Sequence, residues 1–420
     1  MIKETLVGLG RRTLKVLLLL AAVEAAVLAA VEAFETVRRK FWKRAPKEGF
    51  PWEEQPEIEL DGGDRIKLYP DYGRLYEDML AEIERAEQHI FVETFMWLDD
   101  KVGTRFVDAL ASKAREGVKV YAIFDELANL SEPSSFKNFP EEIHTLRFRS
   151  FSGPAGVPLG ALNPRNLHRN HRKILSVDGR VAFAGGFNIG ELFIRWRGTH
   201  FRIRGDQVHE LERTFVGFWN THRPEWLPEV QLPEGRCWDP ALVIHSNDPY
   251  HHTHPIRDLY LRNLDKAQER VLITSAYFVP GVALRERMID AARRGVEVQV
   301  LFPKYSNHAF VDWLSRQHLG ELLKAGVRVF VYENFMIHAK TATVDGVWST
   351  IGSANLDNLS LFGLHETNLE IYSDQVAQRL EAMFDLDKTI AQELTLESWE
   401  SRPLPVKLIE AALKPLRIAG

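Results

Sequence analysis

The chain has 420 residues, 45% of them apolar, and 58 acidic against 53 basic side chains give a net charge of −5. That is enough material for two large α/β cores, and the mildly acidic balance argues against general adhesion to nucleic acid. The single cysteine, Cys237, excludes an internal disulfide and a zinc site built on thiolates.

Residues 1–45 differ in kind from the rest. Val16 to Phe34 is almost wholly apolar, interrupted by Glu24 and Glu32, with Arg11, Arg12 and Lys15 before it and Arg38, Arg39, Lys40, Lys43 and Arg44 after it. Val, Leu and Phe favour insertion by about 0.3 to 0.6 kcal/mol each, while an acidic residue at mid-helix costs about 2.5 to 3.5 kcal/mol. These contributions nearly cancel, so the segment reads as a marginal membrane span or an interfacial helix held by its basic flanks. A cleaved export signal and a helix packed on the body are the alternatives. Trp42 and Trp52 suit a membrane interface, as weak support.

Residues 46–63, rich in Pro, Glu and Gly, read as a linker. Beyond them the pattern predicts helix over Tyr76–Ala86, strand over Ile90–Phe95, helix over Val102–Glu116 and strand over Val118–Phe124, the rhythm of a layered sheet. Helix over Ile256–Arg270, strand over Val271–Phe278, helix over Leu284–Arg294 and strand over Val296–Phe302 repeat it. One further helix is expected over Ser306–Ala325, its Trp313 and Leu314 packed rather than lining a groove, and an amphipathic closing helix over Leu408–Leu416. His251, His252 and His254 lack metal-ligand spacing and read as a polar loop between the halves.

The pattern H-x-K-x-x-x-x-D occurs twice, as His171, Lys173, Asp178 and as His338, Lys340, Asp345. Each copy continues into a glycine (Gly179, Gly346), an apolar run, a small pair (Gly185-Gly186, Gly352-Ser353) and an asparagine (Asn188, Asn355). His and Lys two apart on a strand share a face, and Asp-Gly between apolar runs signals a tight hairpin. The histidines recur 167 residues apart and the segments starting at Gly117 and Gly295 recur 178 apart, which implies an internal duplication. Chemically, one imidazole can attack phosphorus while a second protonates the leaving oxygen, and two lysines can hold the phosphoryl oxygens. That arrangement calls for no metal and no cofactor. Arg165, Arg169, Arg172 and Lys173 cluster with His168 and His171, predicting a basic approach suited to a lipid headgroup or a nucleic-acid phosphate.

On these residues the chain resembles the phospholipase D superfamily over roughly residues 60 to 420. Asn170-His171-Arg172-Lys173-Ile174, Gly185-Gly186-Phe187-Asn188-Ile189-Gly190 and Gly352-Ser353-Ala354-Asn355-Leu356-Asp357 are most similar to its bacterial cardiolipin synthase branch. The resemblance implies an α/β fold of two similar layered α/β/α halves, residues 64–235 and 236–420, that share one active site. It implies a catalytic set of His171, Lys173, Asp178, His338, Lys340 and Asp345, with His171 as nucleophile and His338 as general acid. Asp178 and Asp345, at hairpin corners, are expected to orient their own motifs. Asn188, Ser353, Asn355 and Glu366 are expected to bind phosphate or orient the machinery, Glu366 holding the imidazole opposite. The chain departs from the family at Gly198, where relatives carry an aspartate; Glu191 is a possible substitute. Leu359 stands where many relatives carry arginine.

The implied activity is a cardiolipin synthase-like phosphatidyltransferase that joins two phosphatidylglycerol molecules through a phosphohistidine. Its partners are anionic phospholipid and the membrane surface, and its expected location is the bacterial inner membrane. The alternatives are hydrolysis of phospholipid or nucleic acid by the same intermediate, and a lipid-binding scaffold with a degraded site.

Overall fold

The computed structural model describes residues 50–148, 168–232, 239–404, 406, 407 and 410. The expected amino-terminal anchor, Trp42, Arg165, Cys237 and nearly all of the expected closing helix lie outside them. Among the described residues no helix is long and apolar enough to cross a membrane.

The first half contains β1 (Ile58–Glu59), β2 (Arg65–Tyr69), β3 (His89–Thr94), β4 (Lys119–Asp125), β5 (Ile143–Phe148), β6 (Ile174–Val177), β7 (Val181–Gly185) and β8 (His200–Arg204). They form one sheet in the order β1-β2-β8-β7-β6-β3-β4-β5. The second half contains β9 (Leu242–Ser246), β10 (Arg270–Ser275), β11 (Phe278–Val279), β12 (Glu297–Pro303), β13 (Arg328–Tyr332), β14 (Lys340–Val344), β15 (Trp348–Gly352), β16 (Leu356–Asp357), β17 (Thr367–Tyr372) and β18 (Ala391–Leu394). Its sheet runs β18-β13-β12-β10-β14-β15-β17-β9, with β11 and β16 paired separately. In both, the first strand of the layered unit lies parallel to one neighbour and antiparallel to the other: β3 between β4 and β6, β10 between β12 and β14. The duplication thus holds at the level of strand order.

Local chemistry sets the element ends. The carboxylate of Asp100 accepts from the backbone N–H of Val102 and Gly103 and starts the helix Lys101–Arg115. That helix ends in a glycine at φ 98°, Gly117, and its counterpart Val282–Arg293 at Gly295, φ 92°. A left-handed residue there lets the next N–H return to the helix, Val118 to the Lys113 carbonyl and Val296 to that of Ala291. The two sheets meet in a shared core where Ile66, Ala182 and Ile203 join Leu242, Ile351 and Leu369, with Val208 and Leu211 of one helix and Val376 and Leu380 of another packed into it.

Three expectations change. Strand β1 lies within the expected linker and Trp52 packs on the shared core, because Ile58 and Leu60 bury against it. The helix expected over Ser306–Ala325 is two, Ala309–Arg316 and Leu319–Lys324, broken at Gln317–His318. The strand expected through Phe278 stops at Ser275, whose hydroxyl turns back to the Tyr277 carbonyl.

Candidate active site

Each H-x-K segment crosses from its own half to the other before its strand begins. The His171 N–H donates to the His365 carbonyl and the His365 N–H to the Arg169 carbonyl, both at 2.9 Å. The second copy mirrors this: the His338 N–H donates to the Arg197 carbonyl at 2.5 Å and the Arg197 N–H to that of Met336 at 3.0 Å. His171 and Lys173 therefore precede β6, and His338 precedes β14, in extended chain rather than on the strands expected. Hydrogen bonds across the halves replace the sheet ladder there, and they bring both histidines into one pocket.

That pocket has a volume of about 430 Å³. Its polar lining includes His171, His338, Asn188, Asn355 and Asp357; its apolar wall includes Phe95, Trp196, Val311, Leu314 and Leu359. Leu314, expected to pack, lines it. The buried Asn355 Oδ1 has no hydrogen-bond partner and is open to a ligand donor.

The His171 Nδ1 lies 2.9 Å from Oε1 and 3.0 Å from Oε2 of Glu366, which comes from the opposite half. Ser353 Oγ donates to Glu366 Oε2 at 2.5 Å and accepts from the Thr367 N–H at 2.9 Å. The carboxylate is thereby fixed, and the imidazole presents Nε2 to the pocket. Burial pushes His171 down to about 4 despite the upward pull of Glu366, so its ring is neutral near pH 7.

Lys173 Nζ donates to the His171 carbonyl at 2.5 Å and Lys340 Nζ to the His338 carbonyl at 3.0 Å. Burial lowers Lys173 to about 7, and burial followed by the charge of Lys173 lowers Lys340 well below its usual range. The charge of Lys173 contributes to lowering Lys340, so an anion bound near both would favour their protonated forms.

Asp178 and Asp345, counted with the catalytic set, stand at the far ends of β6 and β14. Asp178 accepts from the N–H groups of Glu87, Gln88 and His89 at 2.8 to 2.9 Å. Asp345 accepts from those of Gln268, Glu269 and Arg270 at 2.9 Å. Both have positive φ, 56° and 52°, a strained conformation for a non-glycine residue that these bonds compensate. Neither lines the pocket. Their work is to join the hairpin to the start of the neighbouring strand.

The basic approach changes as well. Arg169 is buried against Asp125, and Arg172 against Glu93, so both guanidinium groups serve internal ion pairs. His251 and His252 lie exposed in a turn, with His251 bonded to Asp248.

Strand register locates the missing carboxylate. Gly185 pairs with His200 in β7–β8, and Gly352 with Asn368 in β15–β17. Two residues upstream of each partner stand Gly198 and Glu366, which are therefore equivalent. A Cβ at Gly198 would lie 2.2 Å from His200 Nε2, so the His200 ring fills the space of the absent side chain. Glu191 is exposed, its N–H donates to Asp100 and its carboxylate pairs with none of the described residues, so it does not replace that carboxylate. The His338 Nδ1 instead lies 3.3 Å from the hydroxyl of Tyr72. Tyr72, at the first turn of the helix Tyr72–Glu84, carries no sequence signal for this position.

Comparison with known proteins identifies the family. Residues 79–198 and 260–388 match the family described as "Cardiolipin synthase, PLD-like domain". The chain is 32% identical to cardiolipin synthase 1 of Staphylococcus epidermidis over 373 residues, covering 84% of this chain and 74% of that protein. It is 31% identical to the major cardiolipin synthase of Bacillus subtilis over 356 residues, 81% of this chain and 72% of that one. In fold it is similar to the crystal structure of phosphatidylserine synthase from Haemophilus influenzae, with a TM-score of 0.65 and 12% identity over 91% of this chain and 98% of that one. With two strand-order-matched halves, a doubled H-x-K-x-x-x-x-D motif and this similarity, the chain belongs to the phospholipase D-like family of cardiolipin synthases.

Proposed function

We propose that this protein is a phosphatidyltransferase that converts two phosphatidylglycerol molecules into cardiolipin and glycerol at a membrane surface, that of the bacterial inner membrane. The observation that carries the reading is the asymmetric histidine pair at an apolar-walled pocket, in a chain similar to curated cardiolipin synthases.

In this reading His171 Nε2 attacks the phosphorus of the first lipid and the bond to the glycerol headgroup breaks. Protonated His338 gives its proton to the leaving oxygen, and glycerol departs. Neutral His338 then takes the proton from a hydroxyl of the second lipid, whose oxygen attacks phosphorus and releases His171. Glu366 supports the imidazolium charge on phosphohistidine, while Lys173 and Lys340 hold the phosphoryl oxygens. Asn188 and Asn355, which line the pocket, bond the phosphoryl or glycerol oxygens in this reading. A bound lipid alcohol competes with water through its high effective concentration, and the walls formed by Phe95, Leu314 and Leu359 favour acyl-bearing substrates. The internal pairing of Arg169 and Arg172 removes part of the basic surface that a nucleic-acid substrate would need.

The test is product analysis by mass spectrometry with phosphatidylglycerol in detergent, beside phosphatidylethanolamine and single-stranded DNA. Cardiolipin plus glycerol, absent with His171→Ala, is expected. Phosphatidic acid alone would make the enzyme a lipase, and cleaved DNA with intact lipid would overturn the lipid reading.

A further inference from the structure

Gly198 leaves His338 without the carboxylate that Glu366 supplies to His171. We infer that Tyr72 is the positioning residue for His338, holding its imidazole through a neutral hydroxyl where the opposite histidine has a carboxylate. The inference rests on the two-histidine reading above.

Three observations carry it. The Tyr72 hydroxyl lies 3.2 Å from the Gly186 carbonyl, to which it donates, and 3.3 Å from the His338 Nδ1. With its proton committed to the carbonyl, the phenol oxygen accepts Nδ1–H from His338, leaving Nε2 for the pocket. Second, Gly186 is the counterpart of Ser353, and a Cβ there would come within 3.1 Å of the His338 carbonyl. The serine that fixes Glu366 is thus absent together with the carboxylate. Third, His200, in the register position of Asn368, is fully buried, has neither ring nitrogen hydrogen-bonded, and stacks edge-on against Tyr72 with centroids 4.5 Å apart. Its ring occupies the carboxylate's space and backs the phenol that replaces it. Phe193 also stacks on the tyrosine, and Trp196 packs on His338 itself.

The consequence is a division of labour. A carboxylate partner makes an imidazole more basic and stabilises its cation, as a nucleophile requires; a phenol partner leaves the proton more readily given up, as an acid for the leaving group requires. The groups facing His338 act in the same direction: burial, then Lys340, Lys173, His171 and His200, all hold it well below the usual histidine range. Tyr277 packs against it from the second half without adding charge. An anionic phosphodiester bound between the lysines offsets them and lets His338 be protonated in the complex.

The test is the kcat pH profile of Tyr72→Phe on phosphatidylglycerol in detergent, run beside His338→Ala. Phenylalanine keeps the ring and its packing and removes the bonds of the hydroxyl to Nδ1 and to the Gly186 carbonyl. The expected result is a loss in kcat of about tenfold, less than the hundredfold or more supplied by a positioned acid, with KM within twofold. The basic limb should also move to lower pH, because the protonated imidazole loses an acceptor. The double variant Gly198→Asp with His200→Asn puts a carboxylate at the register position of Glu366 and an asparagine at that of Asn368. It should move that limb to higher pH and make the added Tyr72→Phe change nearly silent. An inactive His338→Ala together with unchanged kcat and pH profile in Tyr72→Phe would overturn the inference and leave the two-histidine reading standing. A fully active His338→Ala would overturn both. If Tyr72→Phe fails to fold, the double variant decides, since an unmoved basic limb there contradicts the assigned role.

Discussion

Asp178 belongs to the repeated motif, yet its carboxylate touches only the backbone at the start of β3. Replacing it by asparagine removes the charge and leaves one oxygen for three amides. Bonds to an ionised acceptor contribute about 1.5 to 3 kcal/mol each when buried. The Glu87 and Gln88 amides are exposed enough for water to replace the lost partner, whereas that of His89 is part-buried. Discounting the first two leaves a cost of about 2 kcal/mol, with asparagine tolerating the positive φ almost as well as aspartate. For a half of this size that is a fall in melting temperature of about 4 to 8 °C. Burial raises the Asp178 carboxyl and the amides of His89, Glu87 and Gln88 lower it by more, so its folded value lies below the ordinary 3.8. Its stabilisation is therefore present above that ordinary value and is lost as pH falls through the folded one. The assay is thermal unfolding at pH 7 and pH 3 with specific activity measured below the transition. The expected outcome is a lower melting temperature at pH 7, a smaller difference at pH 3, and at least half of the wild-type kcat. A hundredfold loss of kcat at unchanged melting temperature would refute this structural role and return Asp178 to the chemistry.

Glu366→Gln keeps the shape around Ser353 but withdraws the negative charge from His171, so kcat should fall by about a hundredfold or more. Because Glu366 raises His171 from where burial alone would put it, the acidic limb of kcat/KM should also move below the value of about 4 that marks the intact pair. A limb that moves to higher pH contradicts the pairing. Leu314→Lys, on the apolar wall, should raise the KM for a long-chain lipid more than for a short-chain soluble one; equal effects on both would remove Leu314 from acyl recognition. Deleting residues 1–45 should leave a folded catalytic body that acts normally in detergent and poorly on vesicles of anionic lipid. Loss of folding would instead favour an amino-terminal helix packed on the enzyme.

Much of this site could be read from the chain because its residues recur at matched spacing: the two His-x-Lys pairs, the Asp-Gly turns and the asparagines after the small pairs. The layered halves were legible for the same reason, since the segments at Gly117 and Gly295 repeat a helix stop followed by a buried strand. What could not be read is what depends on contact between distant parts. Arg169 and Arg172 look like an open basic patch until Asp125 and Glu93 fold against them. The histidines read as strand residues, but their amides bond across the halves. Gly198 shows in sequence only as an absence, and its replacement at the histidine comes from Tyr72, 126 residues upstream and outside every motif. Leu314 was ambiguous because an apolar helical residue looks the same whether it faces a core or a lipid pocket.

In the proposed mechanism His171, paired with Glu366, carries the phosphatidyl group. Quenching the enzyme with denaturant at mildly alkaline pH during turnover on phosphatidylglycerol, where the acid-labile P–N bond persists, followed by proteolysis and mass spectrometry at the same pH, reads the adduct directly. A phosphatidyl or phosphoryl group is expected on the peptide containing His171, absent from Glu366→Gln when sampled at early times. An adduct on the peptide containing His338, or full cardiolipin formation with no adduct on either histidine, would contradict it.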